Sequence, residues 1–179
     1  VAERAEQNIP PLPLDADQTS ELIKLLKEDH KESDFLLELL KERVPAGVDQ
    51  AAYVKAAFLA DITTGRASSP YITKIDAVKI LGTMLGGYNI QPLIECLKDN
   101  ELAETAAHVL SRTLLIFDAF NEIFELSKTN EHAKKVVEEW ANATWFTEKT
   151  DIEEQIKLTV YKVTGEINTD DLSPAPDAW

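Results

Sequence analysis

At 179 residues the chain is long enough for one domain of ordinary size and at most a fragment of a second. Hydrophobic residues make up 44% of it, enough to build a core, and 18 Lys+Arg against 32 Asp+Glu leave a formal charge of -14. Such a field favours solubility and repels polyanions, which counts against nonspecific nucleic-acid binding.

No apolar run approaches the roughly 20 residues that span a bilayer, so no membrane association is expected. The first residues, VAERAEQ, are amphipathic and charged and do not form the apolar core of a secretion signal. The expected location is cytoplasmic. A single cysteine, Cys96, excludes an internal disulfide and cannot alone hold an iron–sulfur cluster or a structural zinc. Asn142-Ala143-Thr144 is then a chance glycosylation sequon, because that triplet matters only in a secreted protein.

Residues 1–16 form an arm: a short charged helical stretch, then IPPLPLD, whose three prolines favour an extended backbone. Helical spacing begins next. Asp17 is the expected N-cap ahead of Leu22, Ile23 and Leu26, and Ser33 caps a second helix carrying Leu36, Leu37 and Leu40. After VPAG, Asp49 starts a longer helix with Val54, Phe58, Leu59 and Ile62 on one face and Gly65 at its end. Thr73 opens the next, with Ile75, Val78, Leu81 and Leu85 inward and Gly86-Gly87 closing it.

NIQPLIECLKDNELAETAAHVLSR reads as two helices. The first offers Leu93, Ile94 and Leu97, the second Leu102, Ala106, Val109 and Leu110 at i, i+4, i+7, i+8. Two more follow: Ile116, Phe120, Ile123 and Phe124 line one, and Ala133, Val136, Val137 and Trp140 line the other. Each apolar stripe is too narrow to stand alone, so the expected fold is all-α, with antiparallel helix pairs stacked side by side over residues 17–150. Pro92 to Ser111, with PLIECL, a polar turn at Lys98-Asp99-Asn100 and the small pair Ala106-Ala107, resembles the two-helix unit of HEAT repeats. The region is expected to be an irregular HEAT-like α-solenoid. After Phe146 the period changes: IKLTVYKV, Ile156 to Val163, alternates and is rich in β-branched residues. It is expected to be a short β-strand, followed by a loop, lying against the helices or a neighbouring chain.

Little in residues 1–155 points to chemistry. His30, His108 and His132 have no metal-ligand spacing, and Cys96 has no cationic neighbour to activate it. Gly82, Gly86 and Gly87 follow a helix and lack GK[ST], so they end a helix and do not cradle a phosphate. Glu138-Glu139 and Glu153-Glu154 are adjacent and splay into solvent. Trp140, Trp145 and Phe146 read as core or interface. The loop Asn168-Thr169-Asp170-Asp171, stiffened by Pro174 and Pro176, is a sensible place to present groups to a substrate, and taken alone it is equally a surface turn.

VTGEINTDDLSPAPDAW, Val163 to Trp179, resembles the beginning of the swivel domain of the bacterial aconitase B family, and TDDLSPA resembles the strand-to-loop signature of aconitases at large. VPAGVDQAAYVKAAFL, LGTMLGGYNIQPLI and ATWFT resemble that family's N-terminal HEAT-like domain. The resemblance spans nearly the whole chain and implies that residues 151–179 are the truncated start of the swivel domain. Members of the family are hydro-lyases of the citric acid cycle: they interconvert citrate and isocitrate through cis-aconitate, and many also act on 2-methylisocitrate. Their 4Fe-4S cluster has one open iron that binds the tricarboxylic acid substrate.

The cluster cysteines, the catalytic base and the carboxylate-binding arginines of that family lie beyond this chain. The resemblance therefore implies no catalytic, cofactor-binding or metal-binding residue within it, and no activity of its own. Thr169, Asp170, Asp171 and Ser173 are the residues implied to approach the active site of the intact enzyme, in an architectural role. The helical part is then expected to serve protein interaction: self-association as a dimer, or contact with other citric acid cycle enzymes. Two alternatives are an RNA-binding regulatory domain, disfavoured by the charge of -14, and a structural spacer.

Overall fold

A computed structural model describes Arg4, Glu6, residues 11–113, Ile116, residues 119–148, residues 155–158 and Gly165. Its regular elements are helical throughout the described residues, as the 3.6-residue spacing requires. In chain order they are α1 (Ala16–Leu26), α2 (Ser33–Glu38), a π turn (Leu39–Arg43), α3 (Gln50–Thr64), α4 (Lys74–Leu81), α5 (Ile90–Cys96), α6 (Ala103–Leu110), α7 (Ala119–Leu126), α8 (Glu131–Ala141) and α9 (Thr144–Thr147).

Local chemistry sets the helix ends. Asp15, not Asp17, is the N-cap of α1: its carboxylate accepts from the Gln18 amide at 2.8 Å, while the Gln18 side chain accepts from the Asp15 amide at 3.1 Å. Asp15 adopts extended backbone directly after Pro13-Leu14, and Asp17 falls in the first turn, where its charge suits the helix dipole. Ser33 likewise lies inside α2, which has no side-chain cap. Thr73 caps α4 reciprocally with Asp76, and the Asp76 carboxyl is held below its ordinary pKa by hydrogen bonds from the Thr73 hydroxyl and amide. Gly65, at φ +76°, ends α3 in the left-handed conformation that glycine takes without strain.

Consecutive helices pack side by side: α1 with α2, α3 with α4, α4 with α5, α5 with α6, α7 with α8 and α8 with α9. Alternate helices also touch, in the pairs α1–α3, α4–α6, α5–α7 and α6–α8. One continuous cluster of buried side chains results, from Leu22 on α1 to Val136 on α8, with Leu59, Leu81, Leu93, Ile94, Leu110 and Ile123 fully enclosed. Ala106 and Ala107 are buried, as their small size suggested. A Cβ added at Gly82 would lie 2.7 Å from Val109 Cβ, so the bare glycine lets the end of α4 seat on α6.

The structure corrects two stripes. In α4, Val78 and Leu81 are buried but Ile75 is exposed; Ala77, Ile80 and Met84 complete the inner face. That helix ends at Leu81 with Gly82 as its cap, four residues before the expected glycine pair, and Leu85 leaves the helical path to donate its amide to the Ala46 carbonyl at 2.7 Å. In α7 only Ile123 is enclosed, while Phe120 and Phe124 stand partly out of the core beside Trp140; Ile116, also buried, precedes the helix. The described part of the expected strand, residues 156–158, has no regular structure, and Ile156 and Leu158 are 63% and 74% exposed. The rest of that segment, Val160 to Val163 included, lies outside the described residues.

Candidate functional site

The residues that sequence reasoning placed nearest a substrate, Thr169, Asp170, Asp171 and Ser173, lie outside the described residues. The remaining candidates are dispersed. His30 sits in the loop after α1, where its amide donates to the Tyr71 hydroxyl. His108 is exposed on α6 in a shallow groove of about 510 Å³ with Lys79, Glu104, Thr105 and Val109. His132, on α8, lies 3.7 Å from Glu104. Glu104 also accepts from Lys135 at 2.8 Å; this hydrogen bond lowers the carboxyl pKa, raises that of the lysine and ties α6 to α8. Glu139 is not simply solvated: it pairs with Arg112, which also binds Glu148. These contacts join elements, and among the described residues no nucleophile, base and oxyanion donor converge on one point.

Cys96 is buried at the end of α5, and burial pushes its thiol above the ordinary range. No group of three or more His, Cys, Asp and Glu side chains among the described residues is arranged to hold a metal ion. One protonated cysteine in 179 residues cannot supply the thiolates that a 4Fe-4S cluster takes, so this donor set does not fit that group.

Sequence reading missed Lys55. It lies on α3 between Tyr53 and Phe58, only 1% exposed, and its Nζ donates to the Lys41 carbonyl in the π turn at 3.4 Å. Burial lowers its pKa from 10.5 to about 8, with Glu42 pulling the other way. The signal was available: Lys55 stands four residues from Ala51 and Leu59 and seven from Ile62, all buried, so helical periodicity points it inward.

Large apolar groups are exposed at several places among the described residues, and two of these places are clusters. On α7 and α8, Phe120 stacks on Phe124 and on Trp140, with ring centroids 6.1 and 5.9 Å apart. The other lies where the loop before α3 meets the loop after α4. A Cβ on Gly86 would fall 1.9 Å from the Gly47 carbonyl oxygen, so the two backbones touch. Beside that crossing, the Tyr88 hydroxyl donates to the Val48 carbonyl at 3.0 Å, and Tyr88 meets Tyr53 edge to face at 5.4 Å. Val48 and Leu85 are 73% and 84% exposed, and Tyr53 54%.

Among the described residues the chain is all-helical and presents apolar side chains at its surface. The profile of the family described as "Aconitate B N-terminal domain" matches residues 1–146, and the chain belongs to that family. It is 56% identical over 181 aligned residues to aconitate hydratase B of Escherichia coli K12, covering 100% of this chain and 21% of that relative. Its identity is 55% to aconitate hydratase B of Pseudomonas aeruginosa PAO1 and 47% to that of Helicobacter pylori J99, again over 100% of the chain and 21% of each relative. The chain thus spans about a fifth of the length of the proteins it matches.

Proposed function

We propose that the chain is the non-catalytic N-terminal helical part of an aconitate hydratase, a hydro-lyase converting citrate to isocitrate through cis-aconitate. One observation carries this reading: identity above one half to aconitate hydratase B runs through the whole chain. The full-length protein supplies the iron–sulfur cluster, and 2-methylisocitrate is a second substrate to examine. Residues 151–179 begin the next domain, with Thr169, Asp170, Asp171 and Ser173 near its active site; residues 17–150 are a HEAT-like unit behind the arm of residues 1–16. Packing of alternate helices, α4–α6–α8 in one row and α5–α7 in another, supports the stacked-repeat reading.

The helical unit serves as a protein-contact module, in self-association or in binding other enzymes of the citric acid cycle. Purified chain supplied with ferrous iron and sulfide should convert no citrate, whereas the full-length protein should. Turnover by the chain alone would overturn the non-catalytic assignment. A sedimentation concentration series tests self-association, and a monomer at all concentrations removes that part.

A further inference from the structure

We infer that the corner between α8 and α9 is a two-position hinge, latched in its bent position by Arg112. Among the described residues Ala143 is the one residue other than glycine in the left-handed region, at φ 52° and ψ 38°. An L side chain is disfavoured there, because its Cβ crowds the following carbonyl oxygen. This single residue separates α8, capped by Asn142, from α9. The sequence from Glu131 to Thr147 holds neither glycine nor proline, and alanine is the strongest helix former, so nothing local asks for a break at this point. With Ala143 turned into the right-handed region, α8 and α9 become one continuous helix.

What holds the bend is a tertiary contact. Arg112, just past the end of α6, donates to the His108 carbonyl at 3.1 Å and to the Ser111 hydroxyl at 3.0 Å. From that footing its guanidinium reaches Glu139 on α8 at 3.5 Å and Glu148, the C-cap of α9. The fixed side of the hinge ends at Trp140, whose indole nitrogen donates to the Leu110 carbonyl at 3.2 Å. The moving side carries no core: α9 has no buried residue, and Trp145 meets Phe146 edge to face at 5.6 Å within α9 itself.

Straightening therefore takes no side chain of α9 out of the core. It gives up an ion pair whose partners are 34% and 56% exposed, a weak interaction, and it gains relief of a disfavoured backbone and an unbroken helix. Two small effects of opposite sign leave the positions close in free energy, which is the condition for a switch. The residues matched by the family profile end at 146, so the position of the hinge sets the direction in which the chain leaves that domain. The latch is electrostatic, and ionic strength or an anion competing for Arg112 releases it.

The test is fluorine NMR of the full-length protein with Phe146 replaced by 4-trifluoromethylphenylalanine, which reports the bent and straight positions as two resonances. Glu148→Gln removes one charge of the latch and should raise the straight-to-bent ratio about threefold. Raising salt to about 1 M, where the Debye length falls to about 3 Å, should move the ratio the same way without any change at the latch. Ala143→Gly relieves the left-handed strain and weakens the straight helix, so it should lower the ratio at least about fivefold. Glu125→Gln, in the separate Lys128 pair on α7, should leave the ratio unchanged. A single resonance in every variant and at every salt concentration overturns the proposal. So does a ratio that moves the same way in Glu148→Gln and Ala143→Gly, the result of merely loosening a fixed turn.

Discussion

Replacing Lys55 by methionine should make the protein more stable at neutral pH. The ammonium is enclosed on α3 with a single long hydrogen bond, to the Lys41 carbonyl at 3.4 Å. Lowering its pKa from 10.5 to about 8 corresponds to about 3 kcal/mol held against the folded state when the group is charged in both states. Methionine keeps most of the length and apolar stem while removing the charge. Loss of the hydrogen bond costs about 1 kcal/mol, which leaves a gain of about 2 kcal/mol.

The gain must depend on pH. Below about 8 the wild type carries the full penalty. Between about 8 and 10.5 the unfolded chain binds more protons than the folded one, so wild-type stability rises and the advantage of Lys55→Met shrinks. Above 10.5 the amine is neutral in both states and the advantage should vanish. Urea unfolding followed by circular dichroism measures this, and about 2 kcal/mol displaces the midpoint by roughly 1 M. A less stable variant at neutral pH, or a gain constant up to strongly alkaline pH, would refute the assignment of a buried, poorly compensated ammonium.

Other perturbations act on separate features. Gly86→Ala should cost about 3 kcal/mol in urea unfolding, because its Cβ meets backbone at Gly47 and not a movable side chain. Gly65→Ala should cost only about 1 kcal/mol, since its Cβ meets nothing within 4 Å and the loss is that of the left-handed backbone alone. Asp76→Ala removes the capping box of α4 and should cost about 1 kcal/mol near neutrality. That contribution is present above the carboxyl's unfolded pKa and disappears as acid titrates the depressed folded value, so wild type and variant should converge at low pH. Leu110→Ala, fully buried on α6, should cost 2 to 5, about 3 kcal/mol, with the spread set by how far α8 can settle into the space.

The helical period was legible wherever a stripe faced one neighbour. Leu93, Ile94 and Leu97 on the α5 side and Leu102, Ala106 and Leu110 on the α6 side all lie inside. The errors fell where a tertiary contact overrode local pattern. Leu85 continues the period of α4, but the Gly47–Gly86 contact draws the chain away one turn early. Phe120 and Phe124 belong to the apolar stripe of α7, yet they spread along α8 beside Trp140 without being enclosed. Lys55 was passed over because a charge discourages an inward reading, although its spacing from Leu59 and Ile62 is that of the core. The exposed patch was legible only as the glycine-rich word GGYN. Which side chains that word presents depends on a contact 39 residues away, from Gly86 to Gly47, and no local period encodes such a contact.

Asn89, in the same word, has a consequence for chemical ageing. Its amide nitrogen, fully buried, donates to the Leu81 carbonyl at 2.9 Å and the Met84 carbonyl at 3.0 Å, closing the end of α4. Spontaneous deamidation needs the following backbone nitrogen to swing onto the side-chain carbonyl. Here that nitrogen belongs to the β-branched Ile90 at the first turn of α5 and is engaged with the Gly87 carbonyl at 3.1 Å. The asparagine whose conversion to a carboxylate would set negative charge against two carbonyl oxygens is therefore shielded from that conversion by its own setting, and it should outlast the exposed asparagines of the chain as the protein grows old.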